Sequence, residues 1–213
     1  MNTMTDTERC ILYPYICILV YNGLKRKDTL YIVESTETTV YRVFFLRGNK
    51  MKIIIHDCDE SYDAGFKNIS DEVIWANGRY APCQGCFECW TKNPATCRMK
   101  DSLHEICRLI GQADDLIIIT KNCYGGYDTP VKNILDRAIG MSTPMSSYRG
   151  GQMHHTLRYG KKGRLTIVVY GDINENEKKT WELMAERNRI NYGYENKELM
   201  IIDSINELEG MDI

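Results

Sequence analysis

The 213-residue sequence lacks the features that mark several common classes of protein. Its formal net charge is only −2, so no excess of basic residues points to nucleic acid or to an anionic membrane. The first apolar run, residues 10–20, is too short to span a bilayer, contains Pro14 and follows acidic residues. Neither an internal repeat nor a low-complexity segment is visible. With 43% hydrophobic and 26% charged residues, the composition is typical of a soluble globular protein.

The nine cysteines are not preceded by a recognisable secretory leader. We therefore expect a reducing, cytoplasmic location, where clustered cysteines more often serve metal or redox chemistry than disulfide formation. This expectation directs attention to the spacing of the cysteines.

Four of the cysteines form one compact motif: Cys83, Cys86, Cys89 and Cys97, with the spacing C-x2-C-x2-C-x7-C. The overlapping C-x2-C pairs let successive sulfurs converge on one point, which suits an iron–sulfur cluster of the 4Fe-4S type. Structural zinc sites more often use two separated pairs, so the spacing favours zinc less. The alternative is a set of reduced thiols, some packed in the core and some forming a redox pair.

The sequence predicts two parts of different character. Residues 1–50 contain β-prone stretches at 30–33 and 39–46, but no helix pattern and no candidate site residue. We expect the domain to begin at Met51 and to comprise residues 51–213, with residues 1–50 as an N-terminal extension outside it. The alternative is that residues 1–50 form a β-hairpin on the edge of the sheet.

From Met51 onward, apolar strand patterns alternate with helical patterns, which predicts an α/β fold with a doubly wound, five-stranded parallel sheet. The predicted strands are 52–57, 72–76, 116–120, 165–170 and 198–203. The predicted helices are 101–113, 129–139 and 175–191, the last with Asn174 as its N-cap. A capping box of Ser102 and Glu105 marks the start of helix 101–113. Too few residues separate the first two strands for a full crossover helix, so we expect an abbreviated one.

The segment 83–137 resembles the flavodoxin-like NAD(P)H-dependent FMN reductases, and most of all the iron–sulfur flavoproteins and their flavodoxin family relatives. Three features carry the resemblance: the cysteine motif after the second strand, the aromatic–glycine segment 124–127 after the third, and the pair Asp136-Arg137 on the next helix. Extended to residues 51–203, it implies a flavodoxin-like fold and a flavin-dependent oxidoreductase that passes electrons from NAD(P)H through FMN. It further implies a redox partner and a homodimer.

The resemblance also assigns site residues. It makes Cys83, Cys86, Cys89 and Cys97 the ligands of a 4Fe-4S cluster. It places the flavin ring against a loop at a strand end, where ligands of doubly wound sheets bind. Glycines let the backbone approach a flat ring and tyrosines offer stacking surface. The candidates are Tyr124, Gly125, Gly126 and Tyr127, with Asp172 at the border of the ring. The alternatives are a glycine-rich turn and, for Asp172, a turn residue.

The loop after the first strand departs from the family pattern. Family members usually have a Ser/Thr-rich loop there that cradles the flavin phosphate at a helix N-terminus. In this sequence residues 57–63 hold four acids and no base, an arrangement that repels a phosphate. Tight FMN binding in the usual pose is therefore not expected from this loop.

A basic segment could compensate for the acidic loop. Residues 141–164 contain no acid. Its basic residues are Arg149, Arg158, Lys161, Lys162 and Arg164. We predict a long loop without regular secondary structure, in which Arg158 is the candidate to bind a flavin or NAD(P)H phosphate. The alternative is a solvated basic loop.

Two functions follow from the sequence. The first is the flavin-dependent oxidoreductase or electron-transfer protein with a cysteine-bound cluster. The second is a flavin-free relative that acts as a metal-binding or thiol-redox interaction module. The acidic loop favours the second function, and the cysteine motif is compatible with both. No catalytic residue is assigned.

Overall fold

The structure is a computed structural model that describes residues 8–13, 16–21, 29–35, 41–47, 50–160 and 162–208, with side chains from residue 50 onward. The chain divides into two compact units, Met1–Lys50 and Met51–Ile213. In the first unit, four strands form an antiparallel sheet in sequence order: β1 (Glu8–Tyr13), β2 (Ile16–Tyr21), β3 (Thr29–Ser35) and β4 (Tyr41–Arg47). That this unit is an extension outside the domain stays a prediction.

The second unit alternates strands and helices from its first residue. In chain order its elements are β5 (Lys52–His56), α1 (Asp63–Lys67), β6 (Glu72–Trp75), α2 (Ile106–Gln112), β7 (Asp115–Cys123), β8 (Gly126–Tyr127), α3 (Thr129–Arg137), β9 (Ser142–Arg149), β10 (Gln152–Leu157), β11 (Lys162–Tyr170), α4 (Glu175–Tyr192) and β12 (Tyr194–Ile202). Short 3-10 helices cover Glu60–Tyr62, Ala138–Met141 and Ile205–Leu208.

Five parallel strands form the main sheet in the order β12-β11-β7-β5-β6. Numbered within the second unit, this is the order 2-1-3-4-5, which defines the flavodoxin-like class of doubly wound folds. The predicted fold is therefore confirmed. The connection that leaves β5 runs toward β6 on one side, and the connection that leaves β7 runs toward β11 on the other. The topological switch point, where such folds bind ligands, therefore lies between the carboxyl ends of β5 and β7.

The core explains why these segments become strands and helices. The central strands are runs of aliphatic residues, and Ile53, Ile118 and Ile167 are fully buried, as expected for parallel strands covered on both faces. On one face α4 contributes the fully buried Trp181. The other face has a smaller cluster that includes Phe66 of α1. Helix α1 has five residues, which confirms the predicted abbreviated crossover.

The predicted helix 101–113 is wrong at its start. Residues 101–105 form turns and α2 begins at Ile106, with no side-chain cap. Asp101 accepts hydrogen bonds from the backbone N–H groups of Ala81 and Leu103 and from Arg137. The contacts with Ala81 and Arg137 are made across the fold, and they outweigh the local capping signal of Ser102 and Glu105.

The basic segment 141–164 is not an irregular loop. It contains the antiparallel pair β9 and β10 and the start of β11. Lys162 is buried, and its ammonium group donates a hydrogen bond to the Ile110 carbonyl. Lys161 lies outside the described residues. The sequence prediction missed the hairpin because this segment lacks strict alternation of apolar and polar residues. None of the helices among residues 50–160 and 162–208 combines the length and the hydropathy needed to cross a membrane.

Candidate redox site at a cysteine pocket

The four cysteines of the motif line one small pocket between β6 and α2, with a cavity volume of about 30 Å³. Cys83 and Cys86 are exposed, Cys97 is half-buried and Cys89 is buried. The predicted ligands are therefore brought together, although they differ in access to solvent.

Tight turns fold the cysteine segment back on itself. Gly85, Phe87 and Ala95 have positive φ angles of 61°, 55° and 62°. Two of these residues carry a side chain, and for such residues the left-handed conformation costs roughly 1–2 kcal/mol each. The backbone N–H of Ala95 donates to the Cys89 carbonyl at 3.0 Å. These turns bring the late cysteine of the motif back beside the first three.

Side chains from outside the segment fasten it to the core. The Trp90 indole N–H donates to the Ile139 carbonyl at 2.9 Å. Arg158 donates to the carbonyls of Trp90 and Gly140, each at 3.0 Å. Arg158 therefore lies beside the cysteine pocket with its guanidinium engaged by carbonyls. That Arg158 binds a flavin or NAD(P)H phosphate stays a prediction.

Arg137 supplies a buried positive charge at the pocket. It is 1% exposed and lines the pocket together with Cys97. Its Nη1 donates to Asp101 and to the Ala81 carbonyl, whereas Nε and Nη2 have no hydrogen-bond partner among the described nitrogen and oxygen atoms. Burial lowers the pKa of Arg137, but Asp101 and Cys97 outweigh burial and raise it. The guanidinium therefore stays charged and has N–H groups to offer an anionic group in the pocket.

A fifth cysteine, Cys107 of α2, adjoins the pocket. A Cβ at Gly140 would lie 2.8 Å from the Cys107 Sγ and 3.0 Å from the Cys89 Sγ. The hydrogen bond from Cys107 lowers the pKa of Cys89 to about 7, and the same interaction raises that of Cys107. The Cys107 thiol also lies 3.0 Å from the Arg137 carbonyl. The sequence analysis did not connect Cys107 with the motif, because its spacing from the motif contains no signal of a shared site.

The predicted ligand set is not preformed. Within residues 50–160 and 162–208, no three His, Cys, Asp or Glu side chains are placed so that they could hold one metal ion. In donor chemistry the pocket fits an iron–sulfur cluster, because four thiolates need compensation by a cation and by hydrogen-bond donors. The guanidinium of Arg137 lines the pocket and carries both a positive charge and N–H donors. Assignment of Cys83, Cys86, Cys89 and Cys97 as metal ligands stays a prediction.

A second constellation lies at the switch point of the sheet. Asp57, directly after β5, accepts hydrogen bonds from the Thr120 hydroxyl and the Lys121 backbone N–H, each at 2.9 Å to Oδ2. Its Oδ1 accepts from the Tyr170 hydroxyl at 2.9 Å. One carboxylate thus joins the carboxyl ends of β5, β7 and β11. Burial raises the pKa of Asp57 despite these hydrogen bonds.

The predicted ring-binding loop is only partly available. Tyr124 is 92% exposed with φ of +52°, so its ring can contact a ligand. Gly125, at φ +78°, packs against α4, where an added Cβ would lie 3.2 Å from Thr180. Gly126 pairs with Cys123 in the two-residue strand β8.

The two other candidates for the ring site are placed differently. Tyr127 is buried against Trp181 and its hydroxyl accepts from Asn188, so its ring cannot stack on a ligand as expected. Asp172 is exposed, and its carbonyl accepts from Asn122 at 2.8 Å. This bond ties the Asp172 loop to the end of β7 and keeps Asp172 at the ligand-binding edge.

The loop after β5 does not fit the phosphate of FMN. Asp59 accepts from the Ser61 N–H at 3.0 Å and Asp63 pairs with His56 at 2.8 Å. The basic Lys67 is itself paired with Asp63. An incoming phosphate would meet carboxylates with no basic side chain in residues 57–63 to offset them.

Neither a protein-family model nor a curated protein sequence matches the chain. Among solved structures, an NAD(P)H:quinone oxidoreductase from Methanothermobacter marburgensis is 13% identical with a TM-score of 0.44, over 74% of this chain and 88% of the other. An FMN-dependent NADH-azoreductase from Bacillus anthracis, in complex with FMN, is 13% identical with a TM-score of 0.49, over 72% and 86%. An NADPH-quinone reductase from P. pentosaceus is 14% identical with a TM-score of 0.44, over 76% and 89%. At these identities the likeness concerns the path of the chain and assigns no site residue.

Proposed function

We propose that this protein is an electron-transfer oxidoreductase of the flavodoxin-like class, with a 4Fe-4S cluster bound by Cys83, Cys86, Cys89 and Cys97. The observation that carries the proposal is that all four thiols and the buried guanidinium of Arg137 line the same pocket. When bound, such a cluster accepts and releases single electrons.

The chain's own groups would hold and tune this centre. The four cysteines supply thiolate ligands, and the buried guanidinium of Arg137, which interacts with Cys97, offsets their negative charge. Cys107 donates its S–H to the Arg137 carbonyl and lies beside Cys89, and the interaction between the two thiols lowers the pKa of Cys89 to about 7. Hydrogen bonds to ligand sulfurs and local charge are among the factors that set the potential of an iron–sulfur centre.

FMN and NAD(P)H belong to the proposal as the second redox group and the electron donor, on the sequence resemblance. The strand-end edge with the exposed ring of Tyr124 supports a site for a flat ring. The residues after β5 do not fit the FMN phosphate, so no step is assigned to the flavin. A soluble, cytoplasmic protein that forms a homodimer and reduces a further redox partner also remains a prediction.

The second candidate is a flavin-free metal-binding or thiol-redox module. The Asp57 network favours it, because the protein's own carboxylate occupies the backbone N–H of Lys121 at the switch point. In this case the cysteine pocket would retain metal or thiol chemistry and the strand edge would bind no flavin.

The test is electron transfer from NADPH to ferricyanide by the full chain purified without oxygen, with and without added flavin. We expect activity in the wild type and loss of most of it in Cys97→Ser. Cys123→Ser is the control, because Cys123 is half-buried and does not line the pocket. A protein with neither flavin-dependent NADPH oxidation nor metal would contradict the first candidate and the metal-binding form of the second, and would leave only the thiol-redox module. Metal without flavin-dependent oxidation would favour the second one.

A further inference from the structure

The Asp57 carboxylate sits at the point of the fold where a ligand is expected. Three of its donors come from two neighbouring strands: the Thr120 hydroxyl and the Lys121 N–H at the end of β7, and the Tyr170 hydroxyl at the end of β11. The Thr120 hydroxyl in turn accepts from the Asp128 N–H at 3.1 Å. Both oxygens of Asp57 are therefore held in place by the scaffold.

Asp57 already accepts the hydrogen bonds that an anionic ligand at this edge would need. A carboxylate has about four acceptor positions, and the hydrogen bonds of Asp57 occupy both of its oxygens. The backbone N–H of Lys121 and two hydroxyls thus already bind an internal anion. A phosphate at the same edge would find these donors taken and would face a like charge.

The neighbouring residues reinforce the effect. Asp59 and Glu60 are exposed in the same loop, and Asp128 raises the pKa of Asp57 through its negative charge, after the larger effect of burial. Since like charges a few ångström apart at a protein surface repel appreciably, the field at this edge opposes phosphate. The backbone of Gly126 and the exposed ring of Tyr124 carry no charge and leave a flat neutral ring unopposed.

We infer that Asp57 determines ligand specificity at the switch point, so that the edge binds a phosphate-free flavin, an isoalloxazine with a neutral ribityl chain, in preference to its phosphorylated form. The inference rests on the flavin part of the proposed function. Asp57 acts here through the electrostatic field and through the donors that it occupies, and no chemical step is assigned to it.

Equilibrium dialysis of riboflavin and FMN against the full chain tests the inference. We expect riboflavin to bind and FMN to bind at least about tenfold more weakly, a factor typical of like-charge repulsion near a protein surface. Contacts that both ligands make contribute equally to the two dissociation constants, so their contribution drops out of the ratio. The ratio should also narrow as salt is raised, because salt screens exposed charges.

Asp57→Asn should narrow the ratio of the two dissociation constants, because it removes one of the negative charges at this edge while Asp59 and Glu60 remain. An Asn side chain can still accept the Lys121 N–H through its carbonyl, and the two hydroxyls can rotate to meet its amide. The matched control is Asp71→Asn, because the Asp71 carboxylate accepts the Lys52 N–H at 2.7 Å at the opposite edge of the sheet. This control should leave the ratio unchanged.

Three results would overturn the inference: FMN binding as tightly as riboflavin, no binding of either flavin, or a ratio that Asp57→Asn leaves unchanged. If Asp57→Asn does not fold, Glu60→Gln replaces it and should narrow the ratio of the two dissociation constants by a smaller factor. A ratio that Glu60→Gln leaves unchanged would then overturn the inference. Iron analysis of the same preparation reports on the cysteine centre separately. A protein without iron contradicts the proposed cluster, and the two flavin dissociation constants can still be measured on it. A protein that binds iron but no flavin contradicts the flavin inference and leaves the proposed cluster unaffected.

Discussion

At the scale of single residues, Arg137 connects parts of the chain that are distant in sequence. Its guanidinium donates to the Ala81 carbonyl and to Asp101, and it lines the pocket that contains Cys97. The sequence marked Arg137 only as part of an Asp-Arg pair on a helix. Its role as the buried cation of the cysteine pocket depends on contacts across the fold, which no local pattern contains.

Replacing Arg137 should destabilise the protein strongly. Arg137→Gln removes the charged hydrogen bond to the partly exposed Asp101, and such a bond contributes about 1.5–3 kcal/mol to the free energy of unfolding. Urea unfolding followed by circular dichroism measures the change. Arg187→Gln, on the exposed face of α4, is the control and should change stability by less than about 0.5 kcal/mol. A loss for Arg137→Gln no larger than the control's would contradict the buried pairing.

His56 should make stability fall in mild acid. It is fully buried, and burial lowers its pKa below the usual 6.5, although Asp63 acts in the opposite direction. Below pH 6.5 the unfolded chain therefore binds a proton before the folded one, so the stability present at neutral pH is lost as pH falls toward the folded-state pKa. We expect urea midpoints of the wild type to fall between pH 7.5 and 5.5, and the fall to be smaller in His56→Gln. An identical fall in both proteins would contradict this role.

The sequence predicted some site residues and missed others for physical reasons. The four motif cysteines are close in sequence, so their shared pocket follows from local turns. Cys107 reaches the same pocket through the packing of α2 against the 3-10 helix Ala138–Met141, and only the fold places it there. Tyr127 was expected at a ring, but the pairing of β8 with β7 directs it toward Trp181.

At the scale of elements, local sequence signals predicted the starts of helices correctly where no long-range contact acted against them. Helix α4 begins after Asn174, which forms a capping box with Glu177, and ends at Gly193 with φ of +80°. The predicted cap was therefore right, and the helix ends at Tyr192, one residue beyond the predicted end. The start of α2 was wrong because Asp101 binds Arg137, and the hairpin β9–β10 was missed because it lacks a clear periodic pattern.

The cap of α4 offers a direct test at this scale. Asn174→Ala removes the acceptor for the backbone N–H groups of Asn176 and Glu177, which should lower the free energy of unfolding by about 1 kcal/mol. Asn176→Ala changes the same residue type two positions later without removing the cap, so it should have little effect. Thermal or urea unfolding of both variants measures the difference. Equal losses in free energy of unfolding for the two variants would contradict the contribution of the cap.

At the scale of the whole molecule, the flavodoxin-like unit Met51–Ile213 carries both candidate sites, whereas the four described strands of the unit Met1–Lys50 form an antiparallel sheet of their own. A chain that begins at Met51 should therefore fold, with a cooperative thermal transition and the α/β circular dichroism expected for this unit. A chain that stays unfolded would show that the first fifty residues belong to the domain.

The cysteine pocket and the strand-end edge contribute unequally to the account. The pocket combines four clustered thiols with a buried cation, which is chemistry suited to a metal–thiolate centre. The edge has the topology of a ligand site, but its Thr120 hydroxyl and Lys121 N–H already donate hydrogen bonds to Asp57. The redox role of the molecule therefore depends first on what the cysteines bind.

The most direct test is the iron and acid-labile sulfide content of the full-length protein purified without oxygen, measured together with its absorbance spectrum. The account predicts iron and sulfide in equal amounts, a brown protein, and loss of both in Cys97→Ser but not in Cys123→Ser. A colourless protein without iron, or one whose iron is unaffected by Cys97→Ser, would contradict the proposed cysteine centre.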